Sequence, residues 1–372
     1  MIFDFSDEQK MIVEQVHRLL AEFGGDRLRV LIDQEGDWDE ALWKRFAALG
    51  LLGTTIPVKW GGSGLSQLDL GAVSQEIGRA NAAIPFFSSI ILAAAALQRA
   101  GSPSQKDRWL PRLASGETVA TLAYSSSPCG SNGAVPAVQF RDGRLTGTCT
   151  PVADAGVAGL AVVAASAPEG LRLVLVELDS PGVSRTRLRS FDELRAHYAL
   201  RFEEARAESL PGDAEVALAE VFDRAAVQAA FEAIGGAEAA MLMARDYAME
   251  RMIFGRRLAS YQAIKHKLAD IYVAIELARA CAFDAALAAD SGDGEDKLAV
   301  AAAVTRLKAT DAFESAAREN LHIHGGFGYT FEADCHFYYR RERTLALSLG
   351  GRLPWAERLL RHAVQAEASH AA

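Results

Sequence analysis

Two short stretches concentrate residue types that could do chemistry. The first, LHIHGGFGYTF (Leu321–Phe331), packs two histidines, three glycines and three aromatics into eleven residues. His322 and His324 would need acidic or cysteine partners to hold zinc, and none lies nearby at ligand spacing, so no metal site is expected. Gly325, Gly326 and Gly328 permit positive φ, which serves a sharp helix-ending turn or a backbone that closely approaches a phosphate. The second stretch is MERMIFGRRLASYQAIKHKLADI (Met249–Ile271). Arg251, Arg256 and Arg257 leave a helix end, with Phe254 and Gly255 marking a break before Gln262. Planar guanidinium groups held in place suit a pyrophosphate; left in water, they make an ordinary basic turn.

The elements that must position these residues fall into three runs. From Asp7 to about Leu113 the pattern is helical. SDEQKMIVEQVHRLLAEF puts Ile12, Val16, Leu19 and Leu20 on one face, with Ser6 as N-cap and Gln9 three residues on. PVKWGGSGLS (Pro57–Ser66) reads as a loop. Between about Gly116 and Leu210 come short β-branched and aliphatic runs, among them VQFRDGRLTGTCT, AGLAVVAAS and LRLVLVELD, separated by turns such as RDGR and DSPG. They predict roughly five to seven antiparallel strands. From Glu215 onward two helical stretches of about 30 residues or more exceed the usual globular length and suit a bundle. The fold class expected is α+β: an N-terminal helical domain over 1–115, a middle antiparallel β-domain over 116–212 and a C-terminal long-helix bundle over 213–372.

The 372 residues suggest roughly two or three structural units. A net charge of −9 leaves no basic surplus for a nucleic acid. MIFDFSDEQK is acidic where a signal peptide starts basic, and the longest apolar stretch, Ile84–Leu97, has 14 residues, short of the ~18 of a membrane span. Cys129, Cys149, Cys281 and Cys335 never fall at ligand spacing, which predicts reduced thiols in a cytoplasmic protein.

Together the two stretches carry a family resemblance. ERMIFGRRLASYQAIKHKLAD, followed about 60 residues later by HIHGGFGYTFE, resembles the acyl-CoA dehydrogenase flavoprotein family, with its R-x-x-F-G, its Q-x-x-x-x-x-x-A-D and its G-G-x-G-Y/F. PVKWGGSGLSQLDLGAVSQEIGRA and LTGTCTPVADAGVAGLAVVAAS agree, and so does the helix–β–helix order. The resemblance implies FAD as cofactor, an acyl-CoA thioester as substrate, an electron-transfer flavoprotein as acceptor and a homo- or heterotetramer with a related subunit. By it, Arg251 and Phe254 lie along the adenine and pyrophosphate portion of FAD. Gln262 reaches the same cofactor from a neighbouring subunit, and Gly325, Gly326 and Gly328 let the turn pack close. His322 stands where many relatives have glutamine.

The departures are as informative. The family's glutamate removes an α-proton while hydride passes from the β-carbon to the flavin. One version of that base sits about nine residues beyond an arginine. Counting from Arg340 reaches Leu349, followed by Gly350 and Gly351, and leucine accepts no proton. A second version, counted back from Gly235, reaches Ala225 and Ala226. Asp223 is the nearby carboxylate and the candidate base, although two helical residues rotate a side chain by ~200°. Its place before Arg224, at what reads as a helix entrance, also gives it an ordinary dipole role. The flavin-side loop, Ala123–Ala134, keeps Pro128, Gly130 and Ser131 but lacks the family's acidic residues, and TPVADAGVAG has no tryptophan.

Some bacterial members, especially those acting on steroid side-chain CoA esters, are heterotetramers in which one chain supplies the base. This sequence resembles the other chain, the non-catalytic subunit. Two alternatives stand beside that reading: a non-enzymatic scaffold subunit, and a non-CoA flavin enzyme on the same fold.

Overall fold

The structure, a computed structural model, describes residues 4–124, 136–291 and 295–371. Six helices come first: α1 (Asp7–Ala21), α2 (Asp26–Asp33), α3 (Glu40–Ala48), α4 (Gln67–Arg79), α5 (Ala95–Ala100) and α6 (Pro103–Ala114). Eight strands follow: β1 (Ala120–Ala123), β2 (Gln139–Arg141), β3 (Arg144–Ala153), β4 (Leu160–Ala167), β5 (Gly170–Glu177), β6 (Val183–Leu188), β7 (His197–Arg206) and β8 (Glu208–Ser209). Then come α7 (Ala214–Glu250), the short strands β9 (Met252–Ile253) and β10 (Arg256–Arg257), α8 (Gln262–Ser291), α9 (Glu295–His324), α10 (Cys335–Leu347) and α11 (Arg352–Ala371).

The chain groups into two units. One gathers residues 28–66 and 83–225, with the β-sheet inside it. Its strand order is β6-β7-β3-β2-β4-β5-β8, with β1 beside β4. Six consecutive buried residues of β4 mark it as the strand covered on both faces. The sheet departs from a purely antiparallel one. β1 runs parallel to β4 over Ala120–Ala123, and β2 meets β4 in parallel at Gln139. The sequence also concealed β6, VSRTRL, whose charged residues suit the sheet edge it occupies. The apolar run Ile84–Leu97 is buried almost throughout, with a π-helical segment at Phe87–Ala94. There Ser89 Oγ accepts the Ala120 N–H at 3.0 Å.

The other unit gathers residues 1–27, 67–82 and 226–372 and is helical. Ser6 caps α1 and Gln9 returns the bond, the capping box its spacing predicted. Within this unit α4 and α7 touch backbone to backbone. A Cβ on Gly235 would lie 1.8 Å from the Gln75 carbonyl oxygen, and one on Gly78 would lie 1.9 Å from that of Glu232. The small residues around Gly235 therefore serve close helix packing rather than a roomy cavity. Arg341, fully buried, pairs with Glu232 at 3.2 Å and donates to the Ala82 carbonyl at 3.3 Å. The contact grouping cuts across the consecutive stretches 1–115, 116–212 and 213–372, because α1 and α4 pack with the C-terminal helices.

Candidate cofactor site

Arg251 follows the last residue of α7 and is exposed. Its N–H donates to the Tyr247 carbonyl at 2.9 Å, and its own carbonyl accepts from Leu258 at 2.8 Å. Between these bonds β9 and β10 pair antiparallel around a two-residue loop, Phe254–Gly255. Both loop residues hold positive φ, 49° and 77°. Two left-handed residues in succession make the hairpin turn whose twist matches its strands. Glycine takes that shape at no steric cost; a phenylalanine there is an outlier. Its ring is 95% exposed, so no packing repays the strain within this chain. Tyr261 pins the hairpin, donating its hydroxyl to the Ile253 carbonyl at 3.1 Å, and Arg256 stacks over the Tyr261 ring at 3.7 Å. The break expected at Phe254–Gly255 is thus a formed hairpin.

The glycine turn lies at the end of α9. Residues Gly325–Tyr329 form a 3-10 turn, with Gly325 at φ 63°. A Cβ at Gly325 or Gly326 would meet nothing within 4 Å, whereas one at Gly328 would strike the Leu321 carbonyl at 2.8 Å. Gly325 and Gly326 thus leave open backbone at the surface, and Gly328 closes the turn on the helix. A small apolar cluster joins the two motifs: Ala244, Ala248 and Ile323 are buried, with Tyr247, Leu258, Ala259, Ile264 and Leu268 against them. The end of α7, the start of α8 and the end of α9 therefore converge. Arg251, Phe254, Gln262, His322 and the glycines lie on the segments that end or begin beside this cluster.

Electrostatics differ between the two histidines. His322 is exposed and sits 3.5 Å from Glu319, which also binds Lys267. Burial works to raise the Glu319 carboxyl, but Lys267, His322 and Arg318 outweigh it and leave it below its ordinary value. His324 is buried, and its ring stacks on Tyr247 with centroids 4.2 Å apart. Its Nδ1 lies 2.9 Å from the Asn320 carbonyl oxygen. Burial lowers the His324 pKa below its usual value, with that backbone bond acting in opposition. The sequence raised His324 only as a metal ligand and left Tyr247 unmentioned; 77 residues separate the two, and their stacking exists only in the fold.

These residues fit a large, partly anionic cofactor. They offer an exposed apolar ring on a rigid hairpin, an exposed arginine at a fixed helix end and glycine backbone open to approach. Among the described residues no group of three or more His, Cys, Asp or Glu side chains could hold a metal ion. None of their helices is long and apolar enough to cross a membrane.

The residues that the resemblance offers for a base are Leu349 and Asp223. Leu349 is buried at 1% exposure and holds φ 56°, ψ 27°, a left-handed backbone in a bulky residue. Its carbonyl accepts from the Trp355 indole at 2.9 Å. The Arg306 guanidinium donates to the carbonyls of Leu345 and of Ser348, the latter at 2.9 Å. The turn is firmly built and carries no group that moves a proton. Asp223 is buried and lies nine residues past the first residue of α7, not at its entrance. Asp213 fills the capping role instead, accepting from Glu215 and Val216 N–H at 2.9 and 3.0 Å. The expected dipole role of Asp223 is therefore withdrawn. The flavin-side loop lies outside the described residues from 125 to 135. In the TPVADAGVAG stretch Asp154 is buried and accepts from Ser88 Oγ at 2.6 Å.

Comparison with known proteins places this site in a family. Residues 6–117 match the acyl-CoA dehydrogenase N-terminal domain and residues 214–352 its C-terminal domain. The acyl-CoA dehydrogenase IpdE2 of Mycobacterium tuberculosis is 31% identical over 337 residues, 90% of this chain and 91% of its own. A variant of the Tcur3481-Tcur3483 steroid ACAD superposes with a TM-score of 0.88 at 30% identity, covering 97% of this chain and 99% of that one. The ChsE4-ChsE5 complex of Mycobacterium tuberculosis gives a TM-score of 0.88 at 27% identity over 98% and 99% of the two chains. This chain belongs to the acyl-CoA dehydrogenase family, a family of FAD-binding oxidoreductases.

Proposed function

We propose that this chain is the base-lacking subunit of a heterotetrameric, FAD-dependent acyl-CoA dehydrogenase, with a related subunit supplying the glutamate. The observation that carries this reading is a contrast. The hairpin and glycine turn keep the features a cofactor needs, while Leu349 fills the base position with a buried hydrocarbon. The heteromeric steroid ACAD among the similar structures supports the same reading and points to a steroid-type CoA ester as substrate.

FAD, when bound, supplies the hydride acceptor. This chain's part is placement. Arg251 offers charge-assisted hydrogen bonds to a pyrophosphate, Phe254 an apolar surface and Gln262 an amide at the start of α8. Gly325 and Gly326 leave the backbone open for the cofactor to approach, Gly328 closes the turn beneath them, and His322, beside Glu319, lies at the same turn. Electrons leave to an electron-transfer flavoprotein, in the cytoplasm.

Co-expression with a base-bearing relative tests this. Expected is a stable complex that retains FAD and oxidises acyl-CoA, with Asp223→Asn in this chain leaving turnover unchanged. Loss of turnover in Asp223→Asn with FAD retained would make Asp223 the base and this chain self-sufficient.

A further inference from the structure

A cleft of about 500 Å³ lies within the sheet-bearing unit and shares no residue with the cofactor motifs. Its lining comes from α6 and from strand ends around the Asp142–Gly143 turn. Trp109, Leu160 and Leu175 give it apolar surface and are themselves only 4%, 1% and 3% exposed. Its glutamates are held: Arg108 bridges Glu177 at 2.5 Å and Glu208 at 3.3 Å.

The basic residues are placed differently. Arg141 stands directly across from Arg144 on β2 and β3, and Arg144 directly across from Arg206 on β3 and β7. Directly opposed residues share a face of the sheet, and like charges so placed destabilise it. In a chain of net charge −9, no carboxylate of the described residues lies within ion-pair distance of these three. Other arginines of the same unit do have one: Arg112 with Glu117, Arg172 with Glu169 and Arg201 with Glu203. The backbone under the row is fixed. Asp142 and Gly143 hold φ 48° and 73°, the two left-handed residues of a tight hairpin. The Gly143 carbonyl accepts from the Ala207 N–H at 2.9 Å, and Arg144 donates to the Glu204 carbonyl at 2.8 Å.

Arg144 and Arg206 line the cleft itself. Two guanidinium groups on one face, beside an apolar floor, select an anion with an apolar body. A carboxylate between them also relieves their repulsion, and the volume is that of a small-molecule site. We propose that this cleft binds a small organic acid, its carboxylate bridging Arg144 and Arg206 and its hydrocarbon body resting on Trp109, Leu160 and Leu175.

The probe is 2-naphthoate, a flat monoanion, titrated calorimetrically into the full chain beside 2-naphthalenemethanol, its uncharged counterpart. Expected is saturable binding of the acid, tighter than that of the alcohol. Charge-assisted hydrogen bonds predict that Arg206→Gln and Arg144→Gln each weaken the acid by about tenfold to a hundredfold. Because Arg206→Gln removes an opposed like charge, the melting midpoint of the unliganded protein should hold or rise. Arg201→Gln, on the same strand but outside the cleft, should leave binding unchanged. Should one cleft variant fail to fold, the other decides alone. No binding of 2-naphthoate, equal binding of the alcohol, or wild-type affinity in the folded cleft variants would each overturn the proposal.

Discussion

Phe254 and Leu349 hold the same backbone conformation for opposite ends. Both are bulky residues in the left-handed region, φ 49° and 56°, and both sit beside glycines with positive φ. Such residues cost roughly 1–3 kcal/mol and persist only where their surroundings fix them. At Phe254 the fixing comes from the hairpin, Tyr261 and the Arg251 carbonyl, and the ring is left 95% exposed. At Leu349 it comes from Arg306 and Trp355, and the side chain is sealed at 1% exposure. One strained turn presents a group outward; the other keeps only the frame. The difference is what the supporting-subunit reading predicts: contacts to a cofactor retained, the proton-transfer position given over to packing.

Truncation at the sealed turn gives the largest expected effect. Leu349→Ala should destabilise the protein by about 2–5 kcal/mol, the range for a buried leucine losing its side chain. Turnover by the assembled complex should not change, because nothing reacts there. Denaturant midpoints paired with a steady-state assay check both halves, and a fall in turnover without loss of stability would erase the contrast.

Glu342, in the helix that leads into this turn, gives the next effect, on pH dependence. It is buried at 1% exposure, and its pKa is pushed up to about 7 by burial first, with Glu314 adding and Arg343 and Arg306 opposing. The folded protein therefore holds this proton more tightly than the unfolded chain. Stability from this group is fully present below the unfolded value near 4.5 and is lost as pH rises through about 7. The loss is at most about 3 kcal/mol across that window. Glu342→Gln should remove that slope in denaturation curves recorded between pH 4.5 and 8; an unchanged slope would show that the proton is not held there.

The exposed turn gives smaller changes in stability and larger ones in binding. Gly325→Ala places a side chain at φ 63° and should cost about 1–2 kcal/mol from left-handed strain, since nothing lies within 4 Å of the new carbon. Phe254→Ala should leave stability within ~0.5 kcal/mol of wild type, as for exposed positions, yet lower FAD retention by the complex after gel filtration. Intact FAD content in Phe254→Ala would remove the cofactor from this hairpin.

The sequence announced what depends on neighbours along the chain. Ser6 and Gln9 encode a cap three residues apart, and the long apolar periodicities encode the bundle helices. The glycine turn and R-x-x-F-G motif are likewise local. Other features were hidden for physical reasons. The start of α7 depends on Asp213, whose side chain caps from a Gly–Asp pair that reads as loop, so Asp223 was placed at an entrance that lies nine residues earlier. The edge strand β6 carries too many charges to read as a strand. The left-handed backbone of Leu349 has no signature in a leucine. The pairing of Tyr247 with His324 exists only once α7 and α9 lie side by side.

The most direct test is an anaerobic titration with an acyl-CoA ester, following the flavin absorbance of this chain alone and of its complex with a base-bearing subunit. The supporting-subunit account predicts bleaching in the complex and none with the chain alone, because Leu349 cannot take the α-proton. Full bleaching by the chain alone would contradict it and require a base within this sequence.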